Sequence, residues 1–461
     1  EIRRVLPTIQ YNVTDIPVIY LESPDKLSKT EYVNANIIVA YKDEQGNLQT
    51  LSDAEGEMRI RGNYTANFSA KYPFNIKFSR KVDLFGMGAG KKYHLLANAY
   101  DQPLIRTALA YEFANDLGLE YTCKYQFVEV YHNGIYRGCY MLTTPIDIGE
   151  GRVDIDEERD VIIHLSYSNG GEDAPYNSPI FGFSYIRLEE PSEYSPFTRA
   201  QMMRIMYQLD FAILSGDTDE MAKYMDVESM VNFFVFHEFV KDTDIVWDST
   251  RFYIEDGKLH GGPVWDLDIS QGNVGKGGGN LNSNSYMWID VNGDGTLEFN
   301  YEGSGVTDAQ FKALKDQELY EYRSALGTWA STDWANHFRK NNNTSDAFCF
   351  RWWYYYLEEY SEEFMNEVAK CISENEDVIA SYYTDTVDPE TDAQIRCLID
   401  ELSYGEAGEA ITRNYLEASR SPIYSSRSLP DSVDYLRTWW KLRSEWLFNY
   451  YSTQYPEAYN K

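Results

Sequence analysis

No stretch of the 461-residue chain reaches the roughly eighteen consecutive apolar residues that a membrane-crossing helix needs, so no membrane span is expected. Cysteine is sparse. Cys123, Cys139, Cys349, Cys371 and Cys397 are odd in number and form no Cys-x-x-Cys pair, which argues against a zinc site. Cys123 and Cys139 could pair, but packing as buried neutral thiols is the plainer reading. No internal repeat is present. The N-terminus, Glu1-Ile-Arg-Arg4, carries no signal peptide, so a trimmed or processed chain is expected. Basic residues number 41 against 73 acidic ones, for a net charge of −32. That balance argues against a nucleic-acid-binding surface and suits solubility outside or on a cell.

What is present is uneven. Between Met58 and Lys92 stand eight basic residues against Asp83 alone. A basic island in an acidic protein faces an anion, or is a set of exposed strand-face lysines; the sequence leaves both open. Around it the chain reads as β structure. Met58-Arg-Ile-Arg61 alternates, a polar stretch from Tyr64 to Ala70 follows, and Pro73-Phe-Asn-Ile-Lys-Phe78 alternates again with Lys77 opposed to Ile76 and Phe78. Strand, polar loop, strand with a central lysine suits a loop folded over phosphates with Lys77 as their point charge. The loop has a single glycine, Gly62, so it is neither a P-loop nor a Gly-x-Gly-x-x-Gly motif. A helix is predicted from Asp101 to Leu117, with Asp101 as N-cap and Gly118 as its end. It carries Arg106 and Glu112; Glu112 is either a carboxylate that holds Lys77 or an exposed helix residue. The Asn133-Gly134 pair predicts a type I′ hairpin. Residues 1–145 therefore read as a β-rich lobe with one long helix.

The second region, 146–461, opens with strands and turns helical near Pro196. A helix capped by Asp226 runs to Val240 and ends at Lys241-Asp-Thr-Asp244. A strand at Arg251–Ile254, a turn, and a second strand then deliver Asp266 and Asp268, one residue apart, into a glycine-bearing loop. Asp-x-Asp alone is a weak signal. At a strand's mouth it offers converging hard oxygens with room for water and phosphate, which is what Mg²⁺ or Mn²⁺ needs. Helix, acidic loop, strand, turn, strand, Asp is the layout of a kinase catalytic loop and its metal loop. In that layout Asp244 orients the attacking hydroxyl, with Asp242 as competitor, Ser249 stands at a metal-binding position, and Asp266 holds the metal. Residues 274–345 read as a surface insertion. Within it Asp290, Asn292 and Asp294 occupy the first ligand positions of an EF-hand-like loop, but position twelve is Tyr301, so Ca²⁺ competes with a plain turn between strands. From residue 346 the chain is mainly helical, and its aromatics Trp352, Tyr355, Tyr356 and Phe364 read as core more readily than as a sugar platform.

The chain resembles the CotH-type spore-coat kinase family, an atypical protein-kinase-like fold. The segments that carry the likeness are Arg59-Ile-Arg-Gly-Asn63, Pro73–Phe78, Leu84-Phe-Gly86, Lys92–Asn98, Leu104-Ile-Arg106, Leu109-Ala110, Val128–Gly134, Gly138–Leu142, Glu238–Asp244, Gly262–Asp268 and Leu436–Leu447. The resemblance implies an α+β, two-lobed fold with a β-rich N-lobe and a mostly helical C-lobe. It also implies ATP, a divalent metal, and phosphorylation of Ser or Thr on secreted or coat proteins, hence a secreted or cell- or spore-surface location with coat assembly partners. Carried over residue by residue, Lys77 lies on the phosphates and Arg61 and Arg106 near them or in structural roles. Asp244 is the base, and Asp266 with Asp268 bind metal. Three departures stand out: Tyr64-Thr-Ala66 after Arg-Gly-Asn, Asp242-Thr-Asp244 where the family has Asn-x-Asp, and Leu267 with Ser270-Gln271 after Trp-Asp. The first and third touch the phosphate and metal loops. The alternatives are thus a kinase-like structural or adhesion protein without the chemistry, and a carbohydrate-surface binding module.

Overall fold

In the first part of the chain apolar residues recur at every second position, and seven strands use that alternation to close on themselves. The computed structural model describes residues 15–24, 26–62, 64–166, 176–178, 185–242, 249–273, 288–289, 298–299, 325, 353–388, 391, 393–416 and 428–460. The chain divides into two compact units. The first takes residues 1–99, 124–145 and 401–423; the second takes 100–123, 146–400 and 424–461. The helical stretch expected at 101–117 thus groups with the second unit, and a late segment returns to the first.

The first unit is built on β1 (Val18–Glu22), β2 (Val33–Lys42), β3 (Leu48–Ile60), a short α1 (Tyr64–Phe68), β4 (Phe74–Asp83) and β5 (Ala89–Leu96). After α2 (Arg106–Asp116), which belongs to the second unit, come β6 (Tyr125–His132) and β7 (Ile135–Thr143). The barrel order is β1-β2-β3-β4-β5-β7-β6, closed by a parallel pairing of β1 with β6 that sets Val18 opposite Glu129. Closure removes the open edges that a seven-stranded sheet would otherwise expose. Inside lie Ile19, Leu21, Ile37, Val39, Met58, Phe74, Ile76, Tyr93, Val128, Val130 and Leu142. The hairpin joining β6 and β7 turns at Asn133 and Gly134 with φ of 51° and 75°, the double left-handed conformation that a type I′ turn requires.

The second unit carries a five-stranded sheet. Its strands are β8 (Val161–Ser166), β9 (Tyr176–Asn177), β10 (Tyr185–Glu190), β11 (Arg251–Glu255) and β12 (Lys258–Gly261), in the order β12-β11-β8-β10-β9. Between β10 and β11 run α3 (Pro196–Ser215), α4 (Thr218–Met221) and α5 (Val227–Val240). Asp226 caps α5, accepting from the Ser229 amide at 2.8 Å. Ten of the fourteen residues of α5 are buried, so it is a central helix wrapped on all sides. Phe113 of α2 meets Phe236 and Phe239 on it. Two short strands, β13 (Trp288–Ile289) and β14 (Glu298–Phe299), pair antiparallel. The rest of the helical region is α6 (Trp353–Tyr360), α7 (Glu362–Glu374), α8 (Glu376–Ser381), β15 (Thr386–Val387) with β16 (Gln394–Ile395), α9 (Leu398–Tyr404), α10 (Gly408–Leu416), α11 (Leu429–Gln454) and α12 (Pro456–Tyr459). Trp439 and Trp440 of α11 pack against Phe239. The architecture is mixed α+β, with the large barrel in one unit and most of the helix in the other. None of its helices is long and apolar enough to cross a membrane, among the described residues.

Candidate active site

The Asp-x-Asp loop leaves the end of β12 and is held by buried neighbours on both sides. Before it, Arg251 makes two bonds to Glu189, at 2.7 and 3.0 Å, and its guanidinium lies 5.7 Å from the ring of Trp265. Burial pushes the Glu189 carboxyl upward, but the charge and bonds of Arg251 prevail and hold it below its ordinary value. Leu267 is fully buried and pins the loop between its two carboxylates. Asp268 is half-buried and Asp266 is exposed. No described residue is bonded to the Asp266 carboxylate, and its backbone sits at φ 60°, in the left-handed region. Asp is among the few non-glycine residues that enter this region readily, so the turn places its carboxylate at the surface without calling for glycine.

After the two carboxylates the chain turns through Gln271, the hub of the loop. It is fully buried with φ 52°. Its amide N–H donates to the Val240 carbonyl at the end of α5 (2.7 Å), and its side-chain nitrogen donates to the Arg106 carbonyl (2.9 Å). Its side-chain oxygen accepts from Trp440 Nε1 at 3.0 Å, and its carbonyl accepts from Arg106 Nε at 3.3 Å. Asn273 closes the loop by donating to the carbonyls of Asp268 and Tyr100, at 2.5 and 2.9 Å. Gly272 lies so close to Trp439 that an added Cβ would stand 2.4 Å from the ring, with φ 77° besides, so only glycine fits.

Arg106 opens α2 and is buried, with Nη1 2.5 Å from Asp101 Oδ1. Asp101 is not the N-cap that the sequence suggested. The helix starts five residues later, after Leu104 takes φ 65°, and Ile105 holds the cap position without a side-chain bond. Asp101 still serves the helix N-terminus, because its Oδ2 accepts the Arg106 amide at 2.7 Å. Arg106 therefore braces the Asp-x-Asp loop. Glu112 is half-buried on α2. Asp242 and Ser249 are buried. Asp244 lies outside the described residues, as do Asp290, Asn292, Asp294 and nearly all of 274–345.

In the first unit Lys77 projects away from the barrel interior. Its Nζ is 2.7 Å from Glu57 Oε2 on the neighbouring strand, where the two residues are register partners, and lies 5.6 Å from the ring of Tyr32. Arg59 lies over the same ring at 4.7 Å. Arg61, half-buried just past β3, has its backbone tied to Pro73. Part of the basic island is thus an outward strand face. Lys71 departs from that pattern and is 2% exposed. Its Nζ donates to the Ala97 carbonyl at 2.8 Å and to the Cys139 carbonyl, and lies 4.6 Å from the Tyr140 ring. Sequence reading missed this buried amine, since it sits in a patternless loop. The only available signal was its membership of the basic island.

The donor set suits a hard divalent cation: two carboxylates one residue apart, one of them uncommitted, on a loop whose backbone is fixed by buried partners. A second group of possible ligands, Asp385, Cys397 and Asp400, suits one poorly. Asp400 is paired with Arg437. The Cys397 backbone N–H holds Asp385 below its ordinary value, and burial pushes the Cys397 thiol up, away from the thiolate a metal would bind. Of the aromatic residues expected to be core, Phe364 is fully buried and Tyr356 half-buried, while Trp352 and the Tyr355 side chain lie outside what is described; Trp353, Trp439 and Trp440 are fully buried as well.

A protein-family model described as CotH kinase protein matches residues 58–447. No curated protein matched the chain.

Proposed function

Because the chain belongs to the CotH kinase protein family, we propose that it is an ATP-dependent protein kinase that phosphorylates Ser or Thr on secreted, surface or coat proteins. The observation that carries this reading is the exposed carboxylate of Asp266, bonded to none of the described residues and held in left-handed backbone on a loop that Gln271, Arg106 and Asp101 brace. Asp266 and Asp268 would hold Mg²⁺ or Mn²⁺, which would supply neutralisation of the charge on the transferring phosphates. Asp244, with Asp242 beside it, accepts the proton of the substrate hydroxyl as the γ-phosphoryl passes from ATP to that oxygen, leaving ADP and a phosphoester. Ser249, which is buried, is the further residue that this reading assigns to the metal. Lys77, which is ion-paired with Glu57, and Arg61 are the residues this reading assigns to the phosphates. Such a reaction asks the protein for position and electrostatic support and for no covalent intermediate, so a rigid loop is the main requirement.

The alternative is a kinase-like structural or adhesion protein of the cell surface. What favours it is that Lys77 is already matched by Glu57 and Arg106 is buried. Radiolabelled ATP with Mn²⁺ or Mg²⁺ separates the two readings. Label is expected on the protein or on a Ser/Thr acceptor, and is expected to disappear in Asp266→Ala and Asp244→Ala. ATP binding without label supports the inactive scaffold, and absence of any ATP-dependent thermal shift sinks the kinase reading. None of the tryptophans whose burial is described is exposed, which speaks against sugar binding, the third reading.

A further inference from the structure

α3 presents to solvent one continuous stripe: Phe197, Ala200, Arg204, Tyr207, Phe211 and Leu214. Their spacing is 3-4-3-4-3, the a/d seam of a coiled coil, yet every one of them is exposed. Phe197 is 75% exposed, Tyr207 50%, Phe211 53% and Leu214 40%. The opposite face is firmly anchored. Asp210, fully buried, accepts hydrogen bonds from Tyr176, Ser178 and Trp353 at 2.7, 2.7 and 2.8 Å. The stripe is therefore a fixed surface. Tyr207 and Phe211 already stack edge to face at 4.9 Å.

We propose that this stripe is a dimer interface, in which α3 of one copy packs antiparallel against α3 of a second copy about a two-fold axis. The sequence is self-complementary about the midpoint between residues 205 and 206. In an antiparallel pair each a position meets a d position of the partner helix. Phe197 then faces Leu214, Ala200 faces Phe211, and Arg204 faces Tyr207, each contact occurring twice as an isologous interface demands. The pairs match in kind: aromatic with aliphatic, small with large, cation with aromatic face. A cavity of about 380 Å³ lined by Phe197, Ala200, Arg204 and Tyr224 lies beside Ala200, where the large ring of the opposite Phe211 needs room.

Charge points to the same occupant. The second unit holds 57 acidic and 24 basic residues, so most of its surface repels another copy. α3 carries Arg199 and Arg204 and one acid, the buried Asp210. Along the length of α3 two such units can meet without placing carboxylates together. The area is adequate. Three aromatic side chains of about 150–250 Å² each, half to three-quarters exposed, together with Leu214, Ala200 and Arg204, offer on the order of 600 Å² per copy. Two copies bury about 1,200 Å², the lower edge of stable interfaces, which predicts a reversible dimer.

Sedimentation velocity of the 461-residue chain at micromolar concentrations tests this. A monomer–dimer equilibrium is expected, tightened by salt because screening relieves the acidic surroundings. Phe211→Glu, at an exposed position, is expected to fold normally by circular dichroism and to weaken the dimer about tenfold or more. Under mild oxidation Ala200→Cys combined with Phe211→Cys is expected to cross-link two chains, and neither single variant should, with the wild type as blank for its own cysteines. A chain that stays monomeric, a dimer indifferent to Phe211→Glu, or cross-linking by the single variants would each overturn the proposal.

Discussion

Asp266 and Arg106 serve one loop and stand at opposite ends of the trade between stability and function. Asp266 is exposed and bonded to no described residue, in a backbone conformation that Asn tolerates as well as Asp. Asp266→Asn is therefore expected to leave unfolding stability within about 0.5 kcal/mol of wild type. On the kinase reading it should nonetheless abolish Mn²⁺ binding measured by calorimetry. Arg106→Met is expected to do the reverse in kind. It strands Asp101, fully buried, without its cation, and the loss of one partner of a buried pair costs about 3–5 kcal/mol. It also removes the Nε bond to the Gln271 carbonyl, so the Asp-x-Asp loop loosens. Urea unfolding of the two variants side by side checks the contrast. Equal losses would mean that Asp266 is a structural carboxylate.

At the scale of elements, the strand pair that feeds the loop depends on one ion pair with a pH signature. Glu189 on β10 is held below its ordinary carboxylate value, burial opposing and Arg251 prevailing, with His164 at 3.5 Å and Arg187 adding to the pull. A depressed folded-state value means that the group's stabilisation is complete above the unfolded carboxylate range and is lost as pH falls through the folded value. The difference in melting temperature between wild type and Glu189→Gln should accordingly be largest near neutrality and shrink below about pH 4. A constant gap would assign the residue to packing alone. Much of the element structure was legible in the sequence. The Asp226 cap and apolar run of α5, the Lys241 stop, the Asn133-Gly134 hairpin and the alternating strand around Lys77 are local signals, and local signals survive without tertiary knowledge. What was illegible depended on distant partners. The parallel closure of β1 on β6 joins residues more than a hundred positions apart. The Gln271 hub links α2, α5 and α11, and nothing near Gln271 in sequence announces it. Asp101 looked like an N-cap because its residue type was right. The positive φ of Leu104 displaced the helix start by one turn.

The whole molecule partitions its charge between the units, which a net figure of −32 conceals. The barrel unit has 17 basic and 16 acidic residues, and the second unit 24 and 57. The unit that carries Asp266 thus bears the entire excess, and its field favours cationic partners. On the kinase reading, a Ser or Thr set among lysines and arginines should be phosphorylated faster than one set among acids. The advantage should arise in association, so it belongs to kcat/KM and not to kcat. Steering of this sort acts over about a Debye length, near 10 Å at 0.1 M salt, and collapses as salt rises. Matched acceptor peptides, one basic and one acidic around a common threonine, assayed from low to high sodium chloride, read the effect directly. The basic peptide is expected to lead by about tenfold at low salt and to converge on the acidic one near 1 M. A preference that survives high salt would place the selectivity in specific contacts, and a preference for the acidic peptide would show that the outward basic face of the barrel unit, Arg59 with Lys77 and Lys92, governs recognition in place of the acidic unit's field.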